Sequence, residues 1–137
     1  MEQGTLQLLV SMHRIVRYLR RSRSAVLHPT QFLALMLIAD EQPIRIGEIA
    51  ARVPCSQPTA TTTVAALEEA GLVRREPDPV DGRATAVVLT EAGATTVADS
   101  GRQAAEELDK LLHRLTPEER TQVLQAGDLL DRIARDL

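Results

Sequence analysis

Aromatic side chains are almost missing from this chain of 137 residues: Tyr18 and Phe32 are the only two, and tryptophan is absent. Proteins that hold single-stranded nucleic acid stack bases on aromatic platforms, so the composition argues against that class. The one cysteine, Cys55, excludes an internal disulfide and a multi-cysteine zinc site. His13, His28 and His113 lie far apart and fit no compact ligand spacing, so neither a metal nor a cofactor is expected. No apolar run approaches the roughly 20 residues of a membrane span. Arg14 follows the first apolar stretch instead of preceding it, which is not the pattern of a signal peptide. A cytoplasmic protein without a membrane partner is expected. Excess positive charge is lacking too: 16 basic residues, all arginine except Lys110, face 19 acidic ones for a net charge of −3. That balance argues against general stickiness for nucleic acid and leaves room for a locally basic surface. What is present, 44% hydrophobic and 26% charged residues, is the composition of a soluble globular chain with one core or one small domain with helical extensions.

Apolar residues at Leu6, Leu9, Val10, Val16 and Leu19 recur at helical spacing, with Arg14, Arg17, Arg20 and Arg21 mostly off that stripe. Pro29 suits the first position of a second helix, "PTQFLALMLIADE", which is apolar nearly all round and therefore reads as central and buried. A short extended piece after Pro43 leads to "GEIAARV", a third helix of about two turns. Ser56 is the natural N-cap of a fourth helix, with Pro58 in its first turn and Gly71 as its stop.

This fourth helix carries Thr59, Thr61, Thr62 and Thr63 near its start. Threonine is a mediocre helix former, because its branched side chain loses rotamer freedom against the preceding turn. Ala60, Val64 and Leu67 share one face and point inward; Thr59, Thr61 and Thr62 spread around the outer half, and Thr63 borders the core face. "LVRREPDPVDGRATAVVL" then reads as two short strands around a turn marked by Asp81-Gly82. Thr90 caps a long fifth helix whose seam runs through Val97, Gly101, Ala104, Leu108, Leu111 and Leu115. A capping box, Thr116 with Glu119, opens a sixth helix with a seam at Val123, Gly127, Leu130, Ala134 and Leu137. The expected fold is mostly α with a small β-hairpin wing: a winged helix-turn-helix over 28–90, with a dimerisation helix over 1–27 and further dimerisation helices over 91–137.

At this level of detail "IGEIAARV" followed by "SQPTATTTVAALEEAGLVRREPDPVDGRATAVVLTEAG" resembles the MarR family of bacterial transcription regulators. The most specific part is the wing signature Asp78, Pro79, Asp81 and Arg83, followed by Leu89-Thr90 and Gly93. The resemblance implies a homodimer built by the first, fifth and sixth helices of both chains. It implies a fourth helix in the major groove of double-stranded DNA and a wing in the adjacent minor groove. Arg83 matches the family's minor-groove arginine, and Asp81 the carboxylate that helps hold the wing in shape. Small effectors, often aromatic acids, are bound in many members. Two positions depart from the pattern: Thr62 stands where many relatives carry a guanine-reading arginine, and His28 where a threonine N-cap is common.

The candidate DNA-contacting set is Ser56, Gln57, Pro58, Thr59, Thr61 and Thr62 on the fourth helix, Arg74 and Arg75 after it, and Asp81 and Arg83 in the wing. Hydroxyls bond to phosphates and base edges, and threonine methyls pack on thymine methyls. Strand alternation lets only one of Arg74 and Arg75 face the DNA side. Glu48, Glu68, Glu69, Glu76, Asp78 and Asp81 offset the five arginines between 45 and 90, so any footprint depends on placement. The five arginines between 14 and 23 read first as a solvated helix face, and Cys55 as a structural thiol. The expected function is a homodimeric repressor that binds an inverted repeat and is modulated by a small, aromatic or anionic effector whose pocket residues the sequence does not identify. The alternative is a winged-helix protein–protein interaction module without DNA binding. An enzyme is not expected, because no nucleophile–base pair, carboxylate dyad or nucleotide loop stands out.

Overall fold

A computed structural model describes residues 3–22, 27–53 and 55–137. Their elements run α1 (Gln3–Ser22), α2 (Pro29–Glu41), β1 (Ile44–Arg45), α3 (Ile46–Arg52), α4 (Gln57–Glu69), β2 (Val73–Pro77), β3 (Thr85–Leu89), α5 (Glu91–Leu112) and α6 (Pro117–Ala134). Contacts divide the chain into two units, residues 24–101 and residues 1–23 with 102–137.

In the first unit the core forms where the inward stripes of α2, α3 and α4 meet the sheet. Leu35 and Ile38 of α2, Ile49 of α3, and Ala60, Val64 and Leu67 of α4 are all at most 1% exposed. Ile44, Val73 and Val87 close the core from the strands. The short extended piece after Pro43 is a strand in its own right: β1 pairs with β3, so the wing hairpin belongs to a three-stranded antiparallel sheet of order β1-β3-β2. Across β2 and β3, Val73 opposes Leu89 and Arg75 opposes Val87. Ala86, Val87 and Val88 are buried in succession, which means both faces of the central strand are covered.

Helix boundaries follow local chemistry. Pro29 opens α2 behind His28, whose Nδ1 accepts from the Thr30 N–H at 3.3 Å while Gln31 Oε1 accepts from the His28 N–H at 3.3 Å. The unusual imidazole cap is thus completed by a reciprocal bond. Gly71, at φ +76°, turns the chain out of α4 in a conformation that costs other residues a steric clash. Thr90 Oγ1 accepts from the Gly93 N–H at 3.0 Å and donates to the Gly71 carbonyl at 2.6 Å. It caps α5 and ties it to the end of α4. Cys55 is half-buried against the core.

In the second unit α6 opens with the Thr116–Glu119 capping box. The seam expected to reach Leu115 ends sooner: α5 stops at Leu112, and Leu115 lies in the turn that leads into that box, its N–H bonded to the Leu112 carbonyl. No residue described in α1 or α6 is buried. Leu9 and Ile133 are each 63% exposed.

Gly93 sets the tightest tolerance in the first unit, since a Cβ there would lie 1.9 Å from the Leu72 carbonyl oxygen. Gly93→Ala is expected to lower unfolding free energy by about 1–3 kcal/mol or more, measured by urea denaturation; an unchanged midpoint would contradict this packing.

Candidate nucleic-acid interface

The start of α4 is a polar surface on a rigid base. Ser56 Oγ accepts from the Thr59 N–H at 3.3 Å and donates to Thr59 Oγ1 at 2.9 Å. With Ala60, Val64 and Leu67 sunk in the core, Ser56, Gln57, Pro58, Thr59, Thr61 and Thr62 are left exposed, and Thr63 is buried at 7% exposure. Thr61 Oγ1 donates to the Gln57 carbonyl at 3.1 Å, and Thr62 Oγ1 to the Pro58 carbonyl at 3.0 Å. These two hydroxyls therefore spend their hydrogens on the helix and present oxygen lone pairs and a methyl group outward. Such a surface has the chemistry to accept from base amino groups and to pack on thymine methyls.

The wing is held by one carboxylate. Asp78 Oδ1 accepts from the N–H groups of Val80, at 2.8 Å, and Asp81, at 3.0 Å, while Oδ2 takes Arg45 Nε at 2.9 Å. Asp78 thereby anchors the loop to β1, 33 residues earlier. The Arg45 hydrogen bond, followed by those two backbone donors, holds the Asp78 carboxyl well below the usual carboxylate range. Asp81 plays a smaller part: its Oδ1 accepts from the Arg83 N–H at 3.1 Å, and its carbonyl closes a turn with the Ala84 N–H at 2.9 Å.

Charge in this unit is mostly neutralised internally. Arg45 pairs with Asp78, Arg52 with Glu41, Arg74 with Glu76, and Arg75 with Glu68. Arg74 also donates to the Leu89 carbonyl at 3.1 Å. Strand alternation lets only one of Arg74 and Arg75 face the DNA side, and the structure adds that both are engaged with acids of their own unit. Arg83 differs. Its side chain is exposed and has no ion pair or hydrogen bond among the described residues.

A helix, a tight connection and a second helix with a polar outer face, followed by a three-stranded wing with a free arginine in its loop, make a winged helix-turn-helix. The model of the MarR family matches residues 27–85. An HTH-type transcriptional regulator of Mycobacterium leprae is 33% identical over 124 residues, 90% of this chain and 87% of the relative. The chain belongs to the MarR family. Among solved structures, the transcriptional regulator Tm0710 of Thermotoga maritima superposes with a TM-score of 0.79 at 26% identity, covering 98% of this chain and 96% of that one. BpsR of Bordetella bronchiseptica, whose structure concerns the regulation of its DNA binding by 6-hydroxynicotinic acid, has a TM-score of 0.57 at 22% identity, over 97% and 93% of the two chains. This MarR-family chain is accordingly an HTH-type transcriptional regulator.

Sequence reasoning missed Arg45 as a wing anchor and quoted Asp78 only as part of a signature. No local pattern links positions so far apart. The pairing register, which sets Arg45 against Ala86, brings β1 to the wing.

The wing latch has a defined pH window. A carboxyl whose folded-state pKa lies below its unfolded value stabilises the fold above the ordinary carboxylate range, and that contribution fades only as pH falls towards the lowered value. Amide exchange at Val80 and Asp81, corrected for intrinsic rates, is therefore expected to stay slow from pH 7 to about 4. Across that window Asp78→Ala should speed it on the order of tenfold. Equal protection in the variant would count against the latch.

Proposed function

We propose that this regulator is a homodimeric repressor that binds an inverted repeat in double-stranded DNA and responds to a small, aromatic or anionic effector. The observation that carries the reading is the free guanidinium of Arg83, set in a latched wing while Arg45, Arg52, Arg74 and Arg75 are all paired. A protein with net charge −3 gains nothing from general attraction to DNA, so an unpaired arginine on an anchored loop is a directed contact. In this reading Arg83 enters the minor groove and Asp81 keeps its loop in shape. Ser56, Gln57, Pro58 and Thr59 meet the backbone with the positive end of α4, and Thr61 and Thr62 meet base edges in the major groove. Arg74 and Arg75 reach phosphates by exchanging their exposed acidic partners, which costs little, since such pairs contribute about 0–1 kcal/mol.

The unit around 28–90 would be the DNA-binding region, with 1–27 and 91–137 as dimerisation helices. Support comes from the large apolar residues left exposed along α1 and α6, among them Leu6, Leu9, Leu124 and Ile133. Surface of that kind is covered by a partner in most soluble proteins. An effector of aromatic-acid type is supported by the ligand of the fold relative BpsR. Acting on chromosomal DNA, the protein would work in the cytoplasm, as a regulator and not as an enzyme.

Two experiments test this reading. Selection of duplexes from a random pool is expected to enrich one palindromic motif with half-sites about one helical turn apart. Arg83→Ala should weaken binding and lower the salt slope by about 1; absence of enrichment even at low salt would overturn the DNA reading. Independently, sedimentation should give a dimer mass for the wild type. Leu9→Glu or Ile133→Glu should raise the dimer dissociation constant by at least roughly tenfold; a monomeric wild type would refute the dimer.

A further inference from the structure

The groove between the starts of α2 and α4 shares Pro58, Thr59 and Thr62 with the reading above, and its lining adds Thr63, to which that reading gives no role. It encloses about 310 Å³, bounded by His28, Thr30 and Gln31 on one side and by Thr59, Thr62 and Thr63 on the other. Thr63 is only 7% exposed, and its hydroxyl has no hydrogen-bond partner among the described residues. Its neighbours Thr61 and Thr62 do satisfy theirs, on helix carbonyls. A buried hydroxyl left unpaired is a standing cost that a ligand can relieve.

The rest of the lining identifies that ligand's chemistry. Gln31 uses its Oε1 on the His28 N–H, which leaves both amide hydrogens unspent. His28 Nδ1 accepts from the Thr30 N–H, so the proton of the neutral ring sits on Nε2 and can be donated. Thr59 Oγ1 accepts from Ser56, and its own hydrogen remains available. No acidic side chain lines the groove. Hydrogen-bond donors thus gather where two helix N-termini, both positive in partial charge, lie side by side. An acceptor-only anion fits this arrangement, and phosphate oxygens above all. The groove is roomier than a bare phosphate needs, and Thr59 and Thr62 also belong to the outer face of α4, so it opens beside that face.

We infer that this groove is a phosphate site that seats one backbone phosphodiester of the bound duplex, with the Thr63 hydroxyl as its innermost donor. The inference rests on the proposed binding to double-stranded DNA. Its donors are neutral, so the contact fixes the position of the protein on the duplex without reading sequence and without releasing counterions.

Thr63→Val keeps the shape and removes the hydroxyl, and Thr63→Ser keeps the hydroxyl. On the selected motif and on an unrelated duplex alike, Thr63→Val is expected to lose roughly tenfold in affinity, with its salt slope unchanged and its thermal midpoint no lower than that of the wild type. Thr63→Ser should bind as the wild type does. A walk of single uncharged methylphosphonates along the motif should find one position per half-site that weakens the wild type and leaves Thr63→Val indifferent. Wild-type affinity in Thr63→Val overturns the phosphodiester site while leaving the DNA reading intact. A second arm titrates inorganic phosphate against duplex-free protein at constant ionic strength. Saturable perturbation of the Thr63 amide there, joined to wild-type duplex affinity in Thr63→Val, would reassign the groove to free phosphate and equally overturn the inference. Failure of the wild type to bind any duplex would instead overturn the reading beneath it.

Discussion

Leu72 sits where three segments are forced together, and its backbone carbonyl is approached from two directions. The Thr90 N–H donates to that carbonyl at 3.0 Å, and Gly93 packs so close that a methyl group has no room. One residue earlier, Gly71 leaves α4 through a left-handed turn and offers its own carbonyl to Thr90 Oγ1. The end of α4, the entry to β2, the exit from β3 and the start of α5 are therefore fixed by a few backbone atoms. Because β2 and β3 both begin or end at this knot, the direction in which the wing projects from α4 is a covalent and hydrogen-bonded fact before any side chain of the wing is considered.

From that knot outward, order is maintained by successively longer connections. Val73 opposite Leu89 starts the hairpin ladder, and Pro77 opposite Thr85 ends it. Beyond that point one more cross-strand bond, from the Asp78 N–H to the Ala84 carbonyl at 2.9 Å, closes the ladder, and the carboxylate of Asp78 takes over by gathering two N–H groups and Arg45. A charged hub of this kind is 10% exposed at the acid and 42% at the base, so it is partly shielded from solvent at its centre and open at its edge. The loop is thus ordered up to the segment that bears Arg83, whose guanidinium remains unconstrained.

Local signals in the sequence predict local structure well here. Pro29, Ser56, Gly71, Thr90 and the Thr116–Glu119 pair mark helix boundaries because each acts on backbone groups within a few residues of itself. The inward face of α4 follows from 100° per residue, and so does the exposure of Thr59, Thr61 and Thr62. What the sequence did not reveal depends on tertiary register. That the residues after Pro43 become the edge strand of the wing sheet, that Arg45 belongs to Asp78, and that Arg75 reaches back to Glu68 all require knowing which strand pairs with which. The empty hydrogen-bond capacity of Thr63 was equally illegible, since a threonine at the border of a core is ordinarily satisfied by its own helix. The end of α5 also escaped, because a seam of apolar residues continues through Leu115 although the helix does not.

The near-exclusive use of arginine has a consequence for chemistry after translation. Lys110, paired with Glu107 on α5, is the sole lysine of the sequence, so the winged helix-turn-helix has none. Lysine acylation, which erases charge from the DNA-facing surfaces of many proteins, has no target there. Guanidinium groups hold their charge across the whole physiological range and resist that modification. Amine-reactive probes can therefore mark the helical unit through Lys110 while finding no lysine in the winged one.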